Sequence, residues 1–223
     1  MKDLVVITGG NSGLGRELVK KFSENGYEVL SISRTKRAEA NGVHYEYGNI
    51  ADEAFIKNLY KKYEKNYKIK YLINNAGLGI FGLPEINTAE AIDKVLDSNL
   101  KGMILNTTYA LPLIKDAEGN RYIVNIMSTA ALKGLPSESL YCAAKWGAKG
   151  YTESLKVIYK GTNIRVIGVY PGGINTEFWD NNHDYAPVEK CNKFMNPKDV
   201  ANVIFNNITS NGLVVENIVI EKL

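Results

Sequence analysis

The stretch Leu4–Gly15, with the sequence LVVITGGNSGLG, decides the fold of this chain. Its first four residues form a continuous apolar run, which is typical of a parallel β-strand that is covered on both faces. A glycine-rich turn follows, and apolar residues then recur at helical spacing as far as the helix stop at Asn25-Gly26. The stretch therefore predicts a strand, a tight turn and a helix, which begin a βαβ unit.

The same alternation of strand and helix continues along the chain. Further strands are predicted at Tyr27–Ile32, Lys70–Ile73, Arg121–Met127, Ile164–Tyr170 and Val214–Glu221. Helices are predicted at Phe55–Tyr63, Thr88–Ile114, Ser139–Lys160 and from Pro197 to about Thr209. No linker, repeat or change of composition marks a second domain. Residues 1–223 are therefore predicted to form one α/β domain, a doubly wound parallel sheet with helices on both faces.

Composition and charge exclude several classes of protein. The 223 residues are 45% hydrophobic and 23% charged, which is typical of a globular domain and not of a disordered or fibrous chain. The net charge of +3 is too small to predict a nucleic acid or an anionic membrane as a partner.

The sequence also bears on location and on metal binding. No apolar run is long enough to span a membrane, and the first residues lead directly into the first strand, so we expect a cytoplasmic protein. The two cysteines and two histidines show neither a disulfide framework nor zinc-binding spacing. No metal site is expected.

The turn Thr8–Gly15 lies where a dinucleotide pyrophosphate meets exposed backbone N–H groups and the positive end of a helix. Gly9, Gly13 and Gly15 give the spacing G-x-x-x-G-x-G instead of the common G-x-G-x-x-G. No Gly-Lys-Ser/Thr follows, which excludes a Walker loop. The turn predicts dinucleotide binding, and a glycine-rich connection without a ligand is the alternative.

The second predicted strand ends at Ser33-Arg34-Thr35-Lys36-Arg37. An NAD-binding chain carries an acid at this distance from the glycines, where it accepts hydrogen bonds from the ribose. Here no acid is present and a guanidinium stands beside Ser33, which favours a ribose 2′-phosphate and therefore NADP(H). The alternative is that Arg34, Lys36 and Arg37 form only a solvated basic turn.

Three residues suggest acid–base chemistry. Ser128 follows the strand Arg121–Met127, and Tyr141 and Lys145 stand one helical turn apart on one helix face. An ammonium about 4 Å from a phenol is worth roughly the 4 kcal/mol needed to bring the phenol pKa from about 10 to neutrality. Tyr141 is therefore predicted to be a general acid/base for ketone/alcohol interconversion, with Ser128 donating a hydrogen bond to the substrate oxygen.

Taken together, these motifs resemble the short-chain dehydrogenase/reductase family. The matching segments, in family order over essentially the whole chain, are Thr8–Gly15, Asn74–Gly77, Asn99, Ser128, Tyr141-x-x-x-Lys145 and Pro171–Thr176. The resemblance implies a Rossmann fold and a catalytic tetrad of Asn99, Ser128, Tyr141 and Lys145. In that tetrad Asn99 would hold a water that links Lys145 to solvent, and Lys145 would also bind the nicotinamide ribose.

The resemblance also implies a set of cofactor-binding residues. They are Gly9, Asn11, Ser12, Gly13, Leu14, Gly15, Ser33, Arg34, Asn49, Ile50, Asn75, Ala76, Gly77, Tyr141, Lys145, Pro171, Gly172, Ile174 and Thr176. One departure is visible, because family members commonly carry Asp against the adenine where this chain has Asn49. The amide of Asn49 can still hydrogen-bond an adenine amino group.

The segment 174–196 corresponds to a mobile substrate lid in the family. Its aromatic residues Phe178, Trp179 and Tyr185 suggest a small-molecule carbonyl substrate that is apolar or bears a ring. The alternative is that Phe178 and Trp179 only anchor the loop on the core. His183 lies in the same segment and is expected to have no catalytic role.

Two other functions and the state of assembly complete these expectations. A catalytically silent NADP(H)-binding regulator is the alternative to an enzyme. The larger nucleotide-sugar epimerases and dehydratases are disfavoured, because their C-terminal substrate domain has no room after the last predicted strand.

The predicted helix Ser139–Lys160 contains five small residues, Ala143, Ala144, Gly147, Ala148 and Gly150. They predict a homodimer or homotetramer that pairs through this helix, or else a helix that packs closely on the sheet.

Overall fold

The structure is a computed structural model that describes residues 1–36, 40–180, 182, 184–210 and 212–223. Its strands are β1 (Lys2–Thr8), β2 (Glu28–Ser33), β3 (Val43–Tyr47), β4 (Tyr67–Asn74), β5 (Arg121–Ile126), β6 (Ile164–Pro171) and β7 (Asn217–Ile220). Within the described ranges they form one seven-stranded parallel sheet in the order β3-β2-β1-β4-β5-β6-β7. The predicted doubly wound sheet is confirmed, and the strand order reverses between β1 and β4.

The helices cover both faces of this sheet. They are α1 (Gly13–Glu24), α2 (Glu53–Tyr63), α3 (Ala89–Leu96), α4 (Gly102–Lys115), α5 (Ser139–Ile158), α6 (Val188–Cys191) and α7 (Pro197–Ile208). Helix α1 ends at the predicted stop, with Gly26 at a φ of +82°. Helix α7 begins as predicted, since the Asn196 side chain accepts a hydrogen bond from the Lys198 N–H at 2.8 Å. None of the helices in the described ranges is both long and apolar enough to cross a bilayer.

Strand β3 is not among the strands that the sequence pattern predicted. Its five residues, with the sequence VHYEY, are all half-buried, because β3 lies at the edge of the sheet and pairs with β2 alone. Histidine and glutamate interrupt the apolar pattern on which the other strands were recognised. At the opposite edge the predicted strand Val214–Glu221 shortens to β7.

The helix predicted at Thr88–Ile114 contains an irregular turn. Helix α3 passes into a π-helical turn at Asp97–Lys101, and α4 follows without a break. A π turn inserts one extra residue into the helical repeat, and the apolar periodicity over such a length does not reveal it. The turn matters for the site because Asn99 lies at its centre.

Alternate residues of β1 face two apolar layers. Val5 and Ile7 pack in the layer beneath α1 and α7, whereas Leu4 and Val6 pack in the layer beneath α2 and α4. All four side chains are fully buried. Burial on both faces is the reason why this strand is a continuous apolar run in the sequence.

A buried polar network joins β4, β5 and α4. The Asn74 amide nitrogen donates to Thr107 Oγ1 at 3.0 Å and to Asn125 Oδ1 at 2.8 Å. The Asn74 amide oxygen accepts from Asn106 Nδ2 at 2.8 Å. These side chains are essentially inaccessible to solvent, so each depends on the others for its hydrogen bonds.

Replacing the centre of this network should destabilise the fold. We expect Asn74→Ala to lower the free energy of unfolding by about 2–5 kcal/mol, because each buried polar group left without a partner costs about 1–3 kcal/mol. Chemical denaturation with linear extrapolation measures the change. The matched control is Asn206→Ala on the exposed side of α7, which should change stability by less than about 0.5 kcal/mol. Equal stabilities of the two variants would contradict the role of the network.

Candidate active site

A cleft of about 840 Å³ opens at the carboxyl ends of the strands, where the sheet order reverses. The whole predicted cofactor-binding set lines this cleft, and so does Ser128. Asn99 is fully buried next to the cleft instead of lining it. Residues that are far apart in sequence therefore meet at one edge of the sheet.

The glycine turn brings the start of α1 against the end of β1. Gly9 has a φ of +68°, a conformation that favours glycine. A Cβ added at Gly15 would stand 2.1 Å from the Gly9 carbonyl oxygen, so no side chain fits there. The first residues of α1, Gly13 to Gly15, line the cleft, so a helix N-terminus with its backbone N–H groups lies there, as an anion site requires.

Thr8 and Asn75 join the ends of β1 and β4. Thr8 Oγ1 accepts hydrogen bonds from the N–H groups of Asn75 and Ala76, both at 3.0 Å. The Asn75 side chain donates in turn to the Thr8 carbonyl at 3.0 Å. These contacts fix the segment Asn75–Gly77 along the cleft wall. The side-chain role of Thr8 was not predicted from the sequence, although Thr8 begins the glycine motif.

Asn11 holds the basic loop that follows β2. Its amide nitrogen donates to the Thr35 carbonyl at 2.9 Å, and its amide oxygen accepts from the Ser31 hydroxyl at 3.1 Å. Arg34 is exposed at the cleft rim, and Ser33 Oγ is buried in the cleft wall without a hydrogen-bond partner among the described residues. Arg37, the third predicted basic residue, lies outside the described residues.

Asn49 lines the cleft at the end of β3, where the family commonly has an aspartate. Its side-chain oxygen accepts from the Ala51 N–H at 3.0 Å and so stabilises the local turn. The amide oxygen of Asn49 therefore has one of its two acceptor positions in use.

Tyr141, Lys145 and Ser128 converge on the cleft. Tyr141 and Lys145 lie one turn apart on α5 and are only 8% and 3% exposed, and Ser128 follows β5. Lys145 Nζ lies 5.5 Å from the centre of the Tyr141 ring and donates to the Ile126 carbonyl at 3.3 Å. The grouping that the sequence spacing predicted is therefore present.

The electrostatics of this group differ from the expectation for an ammonium beside a phenol. Burial raises the pKa of the Tyr141 phenol, and hydrogen bonding by Ser128 lowers it only in part. Burial also lowers the pKa of Lys145 to about 8. The predicted lowering of the Tyr141 pKa is wrong for this arrangement, because removing both groups from water disfavours both of their charged forms.

The π turn directs Asn99 towards Gly77. Asn99 Nδ2 donates to the carbonyls of Leu78 at 2.7 Å and Val95 at 2.9 Å, while Asn99 Oδ1 is buried without a hydrogen-bond partner among the described residues. A Cβ at Gly77 would lie 2.7 Å from Asn99 Oδ1 and 3.4 Å from Lys145 Nζ. Asn99 and Lys145 thus approach the same point, and only a glycine at position 77 leaves that point open.

The segment 174–196 covers the other side of the cleft. Trp179 Nε1 donates to the Ile174 carbonyl at 2.8 Å, and Asn182 Nδ2 donates across the cleft to Gly79 at 3.2 Å. Phe178, Trp179 and Tyr185 pack with Phe81 into a cluster that we name the aromatic box, beside Tyr141. His183 lies outside the described residues.

Sequence reasoning missed two acidic residues of the site. Glu177, in the segment 174–196, accepts from the Gly13 N–H at 3.0 Å and from Arg16 at 3.2 Å, so it reaches the glycine turn. Glu138 lines the cleft, and the Tyr185 hydroxyl donates to its carboxylate at 2.5 Å. Glu177 follows the predicted Thr176 directly, but no local pattern marks Glu138.

Burial of Lys145 should cost stability in a pH-dependent way. We expect Lys145→Met to raise the free energy of unfolding at pH 7 by about 1–3 kcal/mol, since one pKa unit corresponds to about 1.4 kcal/mol and the lost hydrogen bond to Ile126 offsets part of the gain. Lys145 binds its proton more tightly in the unfolded chain than in the folded protein. The gain in stability from Lys145→Met is therefore complete below pH 8, shrinks between pH 8 and 10.5, and is absent at higher pH.

Denaturation of wild type and variant across this pH range measures the effect. The control is Lys57→Met, at an exposed position of α2, which should change stability by less than about 0.5 kcal/mol at any of these pH values. A loss of stability in the Lys145 variant at neutral pH would contradict the prediction.

Comparison with known proteins identifies the family. Residues 3–186 match the family described as short chain dehydrogenase. A sepiapterin reductase of Chlorobaculum tepidum is 30% identical over 219 residues, which cover 90% of this chain and 88% of the reductase. A 3-ketodihydrosphingosine reductase of Bacteroides thetaiotaomicron is 30% identical over 193 residues, which cover 82% of this chain and 71% of that protein. The solved structure of ElxO with NADP bound is 26% identical and superposes with a TM-score of 0.86 over 99% of this chain and 97% of its own. This chain therefore belongs to the short-chain dehydrogenase/reductase family of oxidoreductases.

Proposed function

We propose that this protein interconverts a carbonyl compound and its alcohol with NADP(H), and that Tyr141 is the general acid/base. The observation that carries the proposal is the convergence of Tyr141, Ser128 and Lys145 at one end of a cleft whose other end is the glycine turn. A proton donor and a dinucleotide site in one cleft are what reversible carbonyl reduction requires. Family membership and the reductase names of the relatives support the class of reaction.

The residues present fit a dinucleotide. The N–H groups at the start of α1 and in the glycine turn would hold the pyrophosphate, which would replace the Glu177 carboxylate on the Gly13 N–H. Asn75–Gly77 would lie along the adenosine and its ribose. Pro171–Thr176 would contact the nicotinamide. The free Ser33 hydroxyl at the end of β2 is a polar atom that a ribose would satisfy. The nicotinamide supplies the hydride when the cofactor is bound.

The protein's own residues then handle the substrate oxygen and its proton. Tyr141 gives its proton to the oxygen in reduction and takes it back in oxidation. Ser128 donates a hydrogen bond to the same oxygen, which stabilises the charge that develops there. The raised pKa keeps Tyr141 protonated at neutral pH, so it begins reduction as an acid. Lys145 and a water held by Asn99 would replace the proton from solvent.

The choice of NADP(H) over NAD(H) rests on the loop after β2. Arg34 is exposed at the rim of the cleft, and Asn11 fixes that loop through Thr35. A guanidinium can donate two hydrogen bonds to a 2′-phosphate, and Ser33 leaves no carboxylate to repel it. The NADP bound in ElxO supports this choice.

Location, lid motion and assembly are parts of the same proposal. The enzyme would act in the cytoplasm as a homodimer or homotetramer, with residues 174–196 as a mobile lid on the single domain. Ala144 and Ala148 are fully buried against the protein's own core, so they do not support assembly. Support comes from the outer face of α5, which exposes Trp146, Val157 and Ile158.

Removing the phenol should separate chemistry from binding. We expect Tyr141→Phe to lower kcat by about 10²- to 10⁴-fold, the usual contribution of a positioned proton donor, with NADPH affinity retained. NADPH oxidation with a panel of aldehydes and ketones measures turnover, and fluorescence titration measures binding. The control is Tyr151→Phe, ten residues further along α5. Normal turnover in the Tyr141 variant would overturn the mechanism, and a wild type that binds NADPH but reduces no carbonyl would favour the silent regulator.

The cofactor preference should depend on Arg34. We expect kcat/KM for NADPH to exceed that for NADH by about 10- to 1000-fold, because each charge-assisted hydrogen bond is worth about 1.5–3 kcal/mol. Ser33→Asp combined with Arg34→Ala should reverse the preference, since the new carboxylate accepts from the ribose hydroxyls and repels the phosphate. The control is Lys160→Ala, at an exposed position just after α5, which should leave the ratio of kcat/KM for NADPH to that for NADH unchanged. An unchanged ratio in the double variant would show that the loop is only a solvated basic turn.

A further inference from the structure

Glu138 is a buried carboxylate in the wall of the cleft, and no salt bridge joins it to a cation among the described residues. It is 6% exposed and stands immediately before the first turn of α5. The Tyr185 hydroxyl donates to Glu138 Oε1 at 2.5 Å. In the described part of the chain this is the only hydrogen bond to the carboxylate, and no lysine or arginine forms an ion pair with it. A buried carboxylate usually forms an ion pair with a cation. Among the described residues Glu138 has no such ion pair, so a cationic group of a ligand could supply it.

Lys190, the lysine whose charge acts on Glu138, is engaged with Tyr185. Lys190 Nζ donates to the Tyr185 carbonyl at 3.2 Å and lies 4.3 Å from the centre of the Tyr185 ring. Its charge helps to lower the pKa of Glu138, but burial dominates and raises that pKa overall. The carboxylate therefore gains from any further positive charge that reaches it through the cleft.

The backbone before Glu138 holds the carboxylate in place. Ser137 has a φ of +59° and is the only described residue other than glycine in the left-handed region. Its carbonyl accepts from the Gly82 N–H at 2.8 Å, which ties this turn to the segment that carries Phe81. A non-glycine residue keeps such a conformation where surrounding contacts impose it, and such residues cluster at ligand sites.

Two members of the aromatic box, Phe178 and Trp179, line the same cleft as Glu138, and Phe81 and Tyr185 pack behind them. Phe81 lies 4.8 Å from Tyr185 and 5.4 Å from Trp179 between ring centres, and the Phe81 and Trp179 rings are nearly parallel. Phe81 also contacts Tyr141 edge to face at 5.5 Å. Ring faces attract cations and pack well against aromatic groups. The rings of Phe178 and Trp179 and the Glu138 carboxylate thus line the cleft together with Tyr141.

We propose that Glu138 and the aromatic box select carbonyl substrates that carry a protonated amine and a ring, that is, aryl amino ketones and the corresponding amino alcohols. This inference rests on the proposed function, because it names the substrate class of the same site. Glu138 precedes Tyr141 by three residues, so the two side chains project from neighbouring positions of one helix face. In a substrate that reaches both residues, only a few bonds would therefore separate the ammonium group at Glu138 from the carbonyl group at Tyr141.

The amine takes no part in the chemistry. In reduction the carbonyl carbon gains a hydride, with its two electrons, from NADPH, and the carbonyl oxygen gains the Tyr141 proton as the C=O π bond breaks. NADPH becomes NADP⁺, and Tyr141 recovers a proton from solvent. The ammonium pairs with Glu138 before and after the reaction. Glu138 is thus a specificity-determining residue.

The competing explanation is that Glu138 only latches the segment 174–196 through Tyr185. Two variants separate these roles. Glu138→Gln keeps an oxygen that can accept from Tyr185 but removes the charge. Tyr185→Phe removes the latch but keeps the carboxylate. The probes are a matched pair of ketones, β-dimethylaminopropiophenone and isohexanophenone, in which a CH group replaces the protonated nitrogen.

We expect wild-type kcat/KM to be at least about 10-fold higher for the amino ketone than for its neutral isostere. Glu138→Gln should lower kcat/KM for the amino ketone by about 10- to 100-fold and change that for isohexanophenone by less than about threefold. Tyr185→Phe should affect both ketones by a similar factor. Circular dichroism and thermal unfolding check that each variant is folded.

Three results would overturn the inference while the proposed function stands. They are equal loss of activity on both ketones in Glu138→Gln, no preference for the amino ketone in the wild type, and activity on other carbonyls without activity on the amino ketone. The absence of activity on every carbonyl compound would instead overturn the proposed function. Quenching of protein fluorescence by the amino ketone in Tyr141→Phe adds a binding measurement without turnover, and Glu138→Gln in that background should weaken this binding by a similar factor.

Discussion

The close approach of Gly15 to the Gly9 carbonyl is the contact on which the rest of the site depends. Because no side chain stands between them, the N-terminus of α1 lies directly at the carboxyl end of β1. The Thr8 hydroxyl then joins this point to β4 by accepting from Asn75 and Ala76. Parallel strands bring their carboxyl ends to one edge of the sheet, so the loops after β2, β5 and β6 reach the same cleft.

Burial governs the chemistry that this cleft can perform. Lys145 and Tyr141 are both buried, and burial disfavours the charged form of each. A protonated phenol beside a lysine with a pKa lowered to about 8 is suited to passing one proton at a time.

Local sequence patterns predicted most of the fold, because strands covered on both faces and helices with one apolar face leave a periodic trace in the chain. The edge strand β3 was missed because its half-buried residues VHYEY give only a five-residue alternation of apolar and polar side chains instead of a continuous apolar run. The π turn around Asn99 was also missed, although Asn99 itself was named from the family motif. An extra residue in one helical turn depends on tertiary contacts, here the bond from Asn99 to Leu78, which local periodicity does not encode.

The two halves of the site differ in how far the sequence could reveal them. The proposed cofactor half is built from backbone groups and glycines, whose requirements recur as a motif, and those predicted residues line the cleft together. The proposed substrate half is built from side chains that meet only after folding: Phe81 follows β4, Glu138 precedes α5, and Tyr185 comes from the segment after β6. In the sequence Glu138 looks like an ordinary residue at a helix start, and only the fold shows that it is buried and accepts a hydrogen bond from Tyr185. Specificity in such a cleft therefore depends on contacts between distant segments, which can change while the motif that holds the cofactor stays the same.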